Sequence, residues 1–222
     1  MARLARIVIP GIPHHVTQRG NRREQVFFEP ADYRAYLDFL GASAGKSNTS
    51  VIAYCLMPNH VHLILLPDGK DGLRATLADT HRRYTGRINA RNKWTGHLWQ
   101  GRFGSVAMDE DHLYASVRYV SLNPVRARLV SRAEDWEWSS VRAHLAGVSD
   151  GVVDVAPVLE RFPDFAAMLT AGEDDVKNEE IRKAETVGRP LGNAEWIQDM
   201  ERLMGRTLTP KKRGPKPRTA GN

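Results

Sequence analysis

The chain has 222 residues, 41% hydrophobic and 26% charged, which suits one sizeable buried core with appendages or two small ones. No apolar run approaches the roughly 20 residues of a membrane helix, and Cys55, the single cysteine, excludes a disulfide scaffold or a cysteine-based zinc finger and points to a reducing, cytoplasmic setting. The net charge of +6 divides into +8 over residues 1–108, −9 over 109–201 and +7 over 202–222, as expected of a protein that meets a polyanion with selected surfaces.

The first residues, Met1 to Arg6, carry charge without the apolar stretch of a signal peptide. His15 to Arg19 is a short β-branched stretch closed by the turn pair Gly20-Asn21. Pro30 suits the first position of a helix, and Tyr33, Tyr36, Leu37, Leu40 and Ala44 follow at helical spacing up to Gly45. Val51–Leu56 and His60–Leu66 are strand candidates separated by Met57-Pro58-Asn59. A long helix is predicted from about Leu73 to Asn92, with Leu73, Leu77, Tyr84 and Ile88 in one stripe and Arg74, Arg82, Arg83, Arg87 and Arg91 on the rest. Phe103–Met108 is a further strand. Asp109-Glu110-Asp111 then opens a helix where the macrodipole favours negative charge, and Pro124 ends it near Asn123.

Strand–helix–strand–strand–helix–strand is the order of a ferredoxin-like α+β fold, an antiparallel sheet with helices on one face. The division expected is a catalytic-type domain over 1–130, a mainly helical extension over 131–204 and a basic disordered tail over 205–222. Within the extension, Trp136 to Ser140 is expected to open one helix and Glu195 to Met204 to form another. The charged stretch Glu173–Glu185 suits a linker or a solvated helix.

Two places can carry chemistry. His60 and His62, two apart on a strand, project from the face opposite Val61, Leu63 and Leu65, and two neutral imidazoles so placed can share a divalent cation. An incidental pair at a strand end has the same pattern, and the third histidine of a histidine-triad nucleotide hydrolase is replaced by Ile64. On the Asp109–Asn123 helix, Leu113, Val117 and Val120 face the core, while His112, Ser116, Tyr119 and Asn123 share another face. That face presents a phenol with a carboxamide one turn on, unless Tyr119 simply packs at the core edge. Tyr114 lies off it and serves as an internal control. For nucleic acid, Arg83, Arg87, Arg91 and Arg102 are candidates for phosphate contacts, Arg19, Asn21 and Arg22 at the first turn for exposed bases, and Lys211, Lys212 and Arg213 for an electrostatic arm. The alternative for each is a solvated basic surface.

Together the segments resemble a known family. Met57-Pro58-Asn59-His60-Val61-His62-Leu63-Ile64 is similar to the HUH motif of single-tyrosine transposases. Trp99-Gln100-Gly101-Arg102-Phe103, Arg118 to Ala127 and Gly188-Arg189-Pro190-Leu191-Gly192 resemble the branch called REP-associated tyrosine transposases, with the likeness strongest over residues 3–145. The resemblance implies a ferredoxin-like HUH domain that cuts and rejoins single-stranded DNA beside a REP-like hairpin. It implies Tyr119 as nucleophile and a 5′-phosphotyrosine intermediate, with His60 and His62 as ligands of Mg²⁺ or Mn²⁺. Asn123 stands where the tyrosine helix can supply a third ligand, a place at which related insertion-sequence transposases tend to have Gln. A cytoplasmic, nucleoid-associated bacterial protein, monomeric or homodimeric, without a small-molecule cofactor or a membrane partner, follows from the same likeness. A DNA-hairpin binding protein that has kept the residues without the activity is the alternative.

Overall fold

The computed structural model describes residues 6–172 and 174–209. Four strands, β1 (His14–Arg19), β2 (Thr49–Met57), β3 (His60–Pro67) and β4 (Gly104–Ala107), form an antiparallel sheet in the order β2-β3-β1-β4. Helix α1 (Pro30–Lys46) joins β1 to β2, and α2 (Gly72–Asn92) joins β3 to β4. This is the ferredoxin-like order expected from the sequence. Each connecting helix crosses from one strand to another with a third strand between them, so the two β-α-β units interlock.

Strand alternation sorts the two faces. Val16, Val61, Leu63 and Leu65 point to one side, where they meet Tyr36 and Leu40 of α1 and Leu77, Tyr84 and Ile88 of α2 in a continuous apolar core. Phe27 stacks on Tyr33 in the same core, with ring centroids 4.4 Å apart.

The opposite face does not stay open, as a sheet with helices on one face alone would leave it. Helix α3 (Glu110–Ser121) lies across it, followed by the one-turn α4 (Asn123–Arg126) and then α5 (Val141–Ala146), α6 (Ala156–Leu159), α7 (Phe165–Thr170) and α8 (Asp175–Val187). Ile52, Cys55, Ile64 and Val106 of the sheet pack there with Leu113 and Val117 of α3, Val158 of α6, Phe165 of α7 and Ile181 of α8. Arg118, buried on α3, donates to the Met168 carbonyl at 2.8 Å and so ties α3 to α7. Helix α9 (Ala194–Met204) covers Ile7 and Ile9 through Trp196, Ile197 and Met200.

Three expectations for the extension are corrected. Trp136 to Ser140 does not form the first turn of a helix, which begins only at Val141 with Ser140 as its N-cap, because the segment's backbone completes an edge of the sheet: the Leu56 N–H donates to the Trp138 carbonyl (2.8 Å) and the Ser140 N–H to that of Tyr54 (3.0 Å). Edge groups left unpaired attract foreign strands, so this covering protects the sheet. The charged stretch that suited a linker or solvated helix is α8, whose Asn178, Ile181 and Ala184 are buried. Residues 205–209 are folded: Gly205 ends α9, Leu208 is buried, and its N–H reaches Glu201 Oε1 at 2.7 Å. The rest of the expected disordered tail, with Lys211, Lys212 and Arg213, lies outside the described residues.

The segment after α8 covers the other sheet edge. Gly188 ends α8 at φ +72°, a conformation that favours glycine, and Leu191 then pairs with β4, its N–H donating to the Ala107 carbonyl at 2.8 Å. That pairing fixes where α8 sits above the sheet. Among the described residues no helix is long and apolar enough to cross a membrane.

Candidate active site

On the α3 face of the sheet, the register places His15, Thr17 and Arg19 of β1 beside His60, His62 and Ile64 of β3. His62 and His15 are almost wholly buried, with rings stacked at 5.2 Å between centroids and His15 Nε2 3.0 Å from His62 Nδ1. His60 is half-buried, its ring 4.9 Å from that of His62. Its Nδ1 lies 2.6 Å from Asn59 Oδ1, and the Asn59 amide nitrogen donates to the Arg23 carbonyl at 2.9 Å.

Tyr119 comes down from α3 onto this pair. Its ring meets those of His62 and His15 edge-on, at 5.8 and 6.2 Å between centroids. Two guanidiniums flank it. Arg126 lies 4.3 Å over the ring and donates to the Tyr119 carbonyl. Arg182, from α8, is held charged by its hydrogen bond to the Tyr119 side chain. Tyr114, the control, is exposed and sets its ring edge-on to Phe162. The two tyrosines of one helix thus have different surroundings, and only Tyr119 faces the histidines.

The helix that carries Tyr119 stops short of Asn123. Leu122 takes φ −89° and ψ 1°, outside the regular helix, and Asn123 opens the separate turn α4 with Pro124 behind it. The expected run of one helix through Asn123 is therefore corrected. Asn123 is half-buried and opens the turn that follows the helix carrying Tyr119.

A residue absent from the sequence-based candidates stands beside the histidines. Glu185 of α8 places Oε1 3.7 Å from His62 Nδ1 and 3.9 Å from His15 Nδ1. That oxygen is buried and, among the described residues, has no hydrogen-bond partner. Burial pushes the Glu185 carboxyl up to about 7, against the opposing pull of Arg19 and Arg182. The imidazoles move the other way: burial lowers His15 and His60 to about 4 and His62 well below its usual value, with the neighbouring histidines and arginines adding to the effect at His62. All three are neutral at physiological pH, the form in which imidazole binds metals.

Ligand atoms of His15, His62 and Glu185 lie within 4.8 Å of one another, a nitrogen–carboxylate set that could hold a divalent ion. Neutral imidazoles beside a carboxyl group are a donor set that suits a divalent ion, so the residues present fit the metal that the resemblance implies. Beside them opens a cleft of about 390 Å³ lined by Thr17, Arg19, Arg23, His60, His62 and Glu185 among others. Its arginines suit an anionic backbone.

The remaining candidates divide. Arg19 lines the cleft and ends β1 opposite His60. Asn21 and Arg22 form the adjoining turn, where Asn21 Oδ1 accepts the Arg22 N–H at 3.1 Å and Arg22 is exposed at φ 53°. Arg102 is exposed just before β4. Arg83, Arg87 and Arg91 lie on the other side of the sheet, in the seam between α1 and α2. Arg91 forks onto buried Asp32 at 2.6 and 2.8 Å, Arg87 is 4.0 Å from the same carboxylate, and Arg83 lies 4.2 Å over the Phe39 ring. His112 is bound to Asp109 at 2.6 Å and lies 3.5 Å from Glu180, so it serves the start of α3 rather than Tyr119.

Two signals in the sequence could have found the missed residues. His15 shares strand parity with Thr17 and Arg19, but only the β1–β3 register brings it to His62. Glu185 and Arg182 are three apart beside the apolar positions Ile181 and Ala184, which is one helical face.

Residues 9–123 match the family model described as Transposase IS200 like. A protein of Haemophilus influenzae described as a REP-associated tyrosine transposase is 27% identical over 100 residues, 40% of this chain and 57% of that protein. The chain thus matches little more than half the length of this curated relative. Among solved structures, a REP-associated tyrosine transposase bound to a REP hairpin matches with a TM-score of 0.58 at 24% identity, over 70% of this chain and 93% of that one. A transposase of Deinococcus radiodurans R1 matches with a TM-score of 0.39 at 22% identity, over 55% and 97% of the two chains.

Proposed function

This chain belongs to the IS200-like transposase family, and on that premise we propose that it cleaves and rejoins single-stranded DNA beside a REP-like hairpin, with Tyr119 as the nucleophile. The observation that carries the reading is the buried Tyr119 set edge-on to His62, 5.8 Å between ring centroids, with the Arg126 and Arg182 guanidiniums about it. A core tyrosine needs no such surroundings. The likeness to a REP-associated transposase solved with its hairpin supports the choice of DNA.

The Tyr119 phenolic oxygen attacks the scissile phosphorus. A P–Oη bond forms and the P–O3′ bond breaks; the phenol loses its proton and the departing 3′ oxygen gains one. The product is a 5′-phosphotyrosine and a free 3′-OH. Bond energy is conserved in the tyrosine ester, so a 3′-OH from another strand can reverse the step without ATP. A phenol ordinarily titrates near 10, and the guanidiniums favour the charge that builds on its oxygen. Arg19 and Arg23 receive the strand's phosphates in the cleft. The residues that would hold Mg²⁺ or Mn²⁺ are His60 and His62. When bound there, such an ion supplies Lewis-acid neutralisation of the phosphate oxygens.

The test is a denaturing gel of the full chain with 3′-end-labelled hairpin DNA taken from the repeats flanking the gene, in Mg²⁺, Mn²⁺ or EDTA. A labelled protein–DNA adduct that needs metal and vanishes in Tyr119→Phe is the expected result. Hairpin binding without adduct under every metal condition would refute the activity and leave a hairpin-binding protein.

A further inference from the structure

We propose that His15 and Glu185 form a buried support that fixes the tautomer of His62, leaving Nε2 of that ring as the lone pair that faces the ion. The inference rests on the reading of His60 and His62 as the ligand pair, and it gives the C-terminal extension a place in the site.

Each neutral imidazole carries one N–H, and its neighbours decide which nitrogen holds it. At His60 the choice is settled by a chain of donors. The Asn59 amide nitrogen donates to the Arg23 carbonyl at 2.9 Å, which turns Asn59 Oδ1 toward the ring. That oxygen can only accept, so His60 holds its proton on Nδ1, 2.6 Å away, and Nε2 is left as the free lone pair.

His62 poses the same question with a histidine as partner. His62 Nδ1 and His15 Nε2 are 3.0 Å apart and share one proton, so one ring donates and the other accepts. Glu185 breaks the symmetry. Its Oε1 lies 3.7 Å from His62 Nδ1 and 3.9 Å from His15 Nδ1, so a carboxylate there favours N–H on both. Only one assignment provides that: His62 Nδ1–H donates to His15 Nε2, and His15 Nδ1–H is turned toward Glu185. The reverse assignment would turn two nitrogen lone pairs toward the carboxylate oxygen. Both ligand histidines then have the same form, each donating through Nδ1 and each with Nε2 open. Outer partners of this kind are the usual means of orienting a metal-binding imidazole.

The burial of the support agrees with an organising role. His15 is 2% exposed and meets no solvent that could offer it another partner. Glu185 reaches it from α8, 170 positions along the chain, through a helix pinned by Leu191 on β4. His15 and Glu185 are positioning residues here, acting through His62.

Long-range proton–nitrogen NMR spectra of the full chain labelled with ¹⁵N-histidine, recorded without metal or DNA at pH 8, read each tautomer directly. His62, identified by the peaks lost in His62→Gln, is expected as the Nδ1–H form in the wild type. His15→Phe, which keeps the ring volume and removes the acceptor, is expected to move His62 toward the Nε2–H form. It should also weaken Mn²⁺ binding about 10- to 100-fold by calorimetry, while His15→Gln, which restores an acceptor, recovers both. Glu185→Ala is expected to move His62 in the same direction as His15→Phe, and Glu179→Gln on the outer face of α8 to leave it alone. Unchanged thermal melts separate these effects from misfolding.

His62 protonated on Nε2 in the wild type would overturn the proposal, since Nδ1 would then be the lone pair and His15 with Glu185 would face the ion directly. An unmoved tautomer in His15→Phe would overturn it as well. Because these readings need no DNA, they stand apart from the gel assay. The predicted tautomer without any Tyr119 adduct would sink the transposase reading alone, and an adduct with the wrong tautomer would sink this one alone.

Discussion

Lowering the pH from 7 to 5 should weaken the fold by about 2 kcal/mol through His14 alone. The His14 side chain is fully buried, and both ring nitrogens are engaged in the neutral form: Nε2 accepts the Ile9 N–H at 3.2 Å, and Nδ1 donates to the Ile12 carbonyl at 2.7 Å. A second proton has only Nε2 to go to, where it would face another N–H. Burial accordingly lowers this histidine from 6.5 to about 4. In the unfolded chain it keeps its ordinary value, so between pH 6.5 and 4 the unfolded state binds the extra proton. Stability is therefore complete above about pH 6.5 and falls as the pH drops, by about 2 kcal/mol at pH 5 and about 3 kcal/mol at pH 4. Urea unfolding of wild type and His14→Gln at pH 7 and pH 5 checks this. The amide keeps one donor and one acceptor but does not titrate. His15, His60 and His62 also titrate low, but they are common to both proteins, and the difference between the two pH dependences isolates His14. Equal pH dependences, or a wild type that gains stability at pH 5, would refute the reasoning.

Other consequences follow from single contacts. Arg91→Ala leaves the Asp32 carboxylate buried without its fork and should destabilise the protein by about 3 kcal/mol, read by urea unfolding; an unchanged midpoint would mean the pair is not structural. Arg126→Ala should slow adduct formation about tenfold by removing the cation over the Tyr119 ring, with DNA affinity altered less than the rate. Arg19→Ala should reduce the salt slope of single-strand binding by about one, as expected for one lost phosphate contact in the cleft, whereas a change in sequence preference with an unchanged slope would make Arg19 a base reader. Gly20→Ala would set a Cβ 2.3 Å from the Glu24 carbonyl and 2.7 Å from Val26, so a loss of about 2 kcal/mol and a displaced turn at Asn21–Arg23 are expected in unfolding and DNA-binding assays.

What the sequence made legible follows periodicity. The alternation of His60, Val61, His62 and Leu63 assigned the two faces of β3, and Leu73, Leu77, Tyr84 and Ile88 assigned the buried stripe of α2, because each pattern depends only on residues close in the chain. The arginines of α2 were harder. Their charge suggested phosphates, but Glu29 and Asp32 are set against Arg87 and Arg91 across the α1–α2 seam, Asp79 pairs with Arg82 and Arg83 along α2, and a count of basic residues does not show which acids sit opposite. Trp136 to Ser140 looked helical for a related reason. Its backbone hydrogen bonds go to β2, some 80 residues away in the chain, and no local signal reports that the sheet edge needs covering.

Long-range pairing also explains why the site was half visible. His60, His62 and Tyr119 lie in elements with strong local patterns, whereas His15 and Glu185 enter through a strand register and a helix docking. The division of charge has a different meaning once α8 is placed. The acidic segment stood out in the sequence by its charge, yet Asn178, Ile181 and Ala184 turn one face of its helix inward, and that face delivers Glu185 to His62 and Arg182 to Tyr119. Glu179 and Lys183, paired at 2.8 Å, remain on the exposed side. A helix that is acidic in composition therefore sets one carboxyl group beside His62 and one guanidinium beside Tyr119. The sheet divides the labour: α1 and α2 build the core on one face, where Arg91 ties them together through Asp32, and the opposite face carries the cleft lined by Arg19 and Arg23.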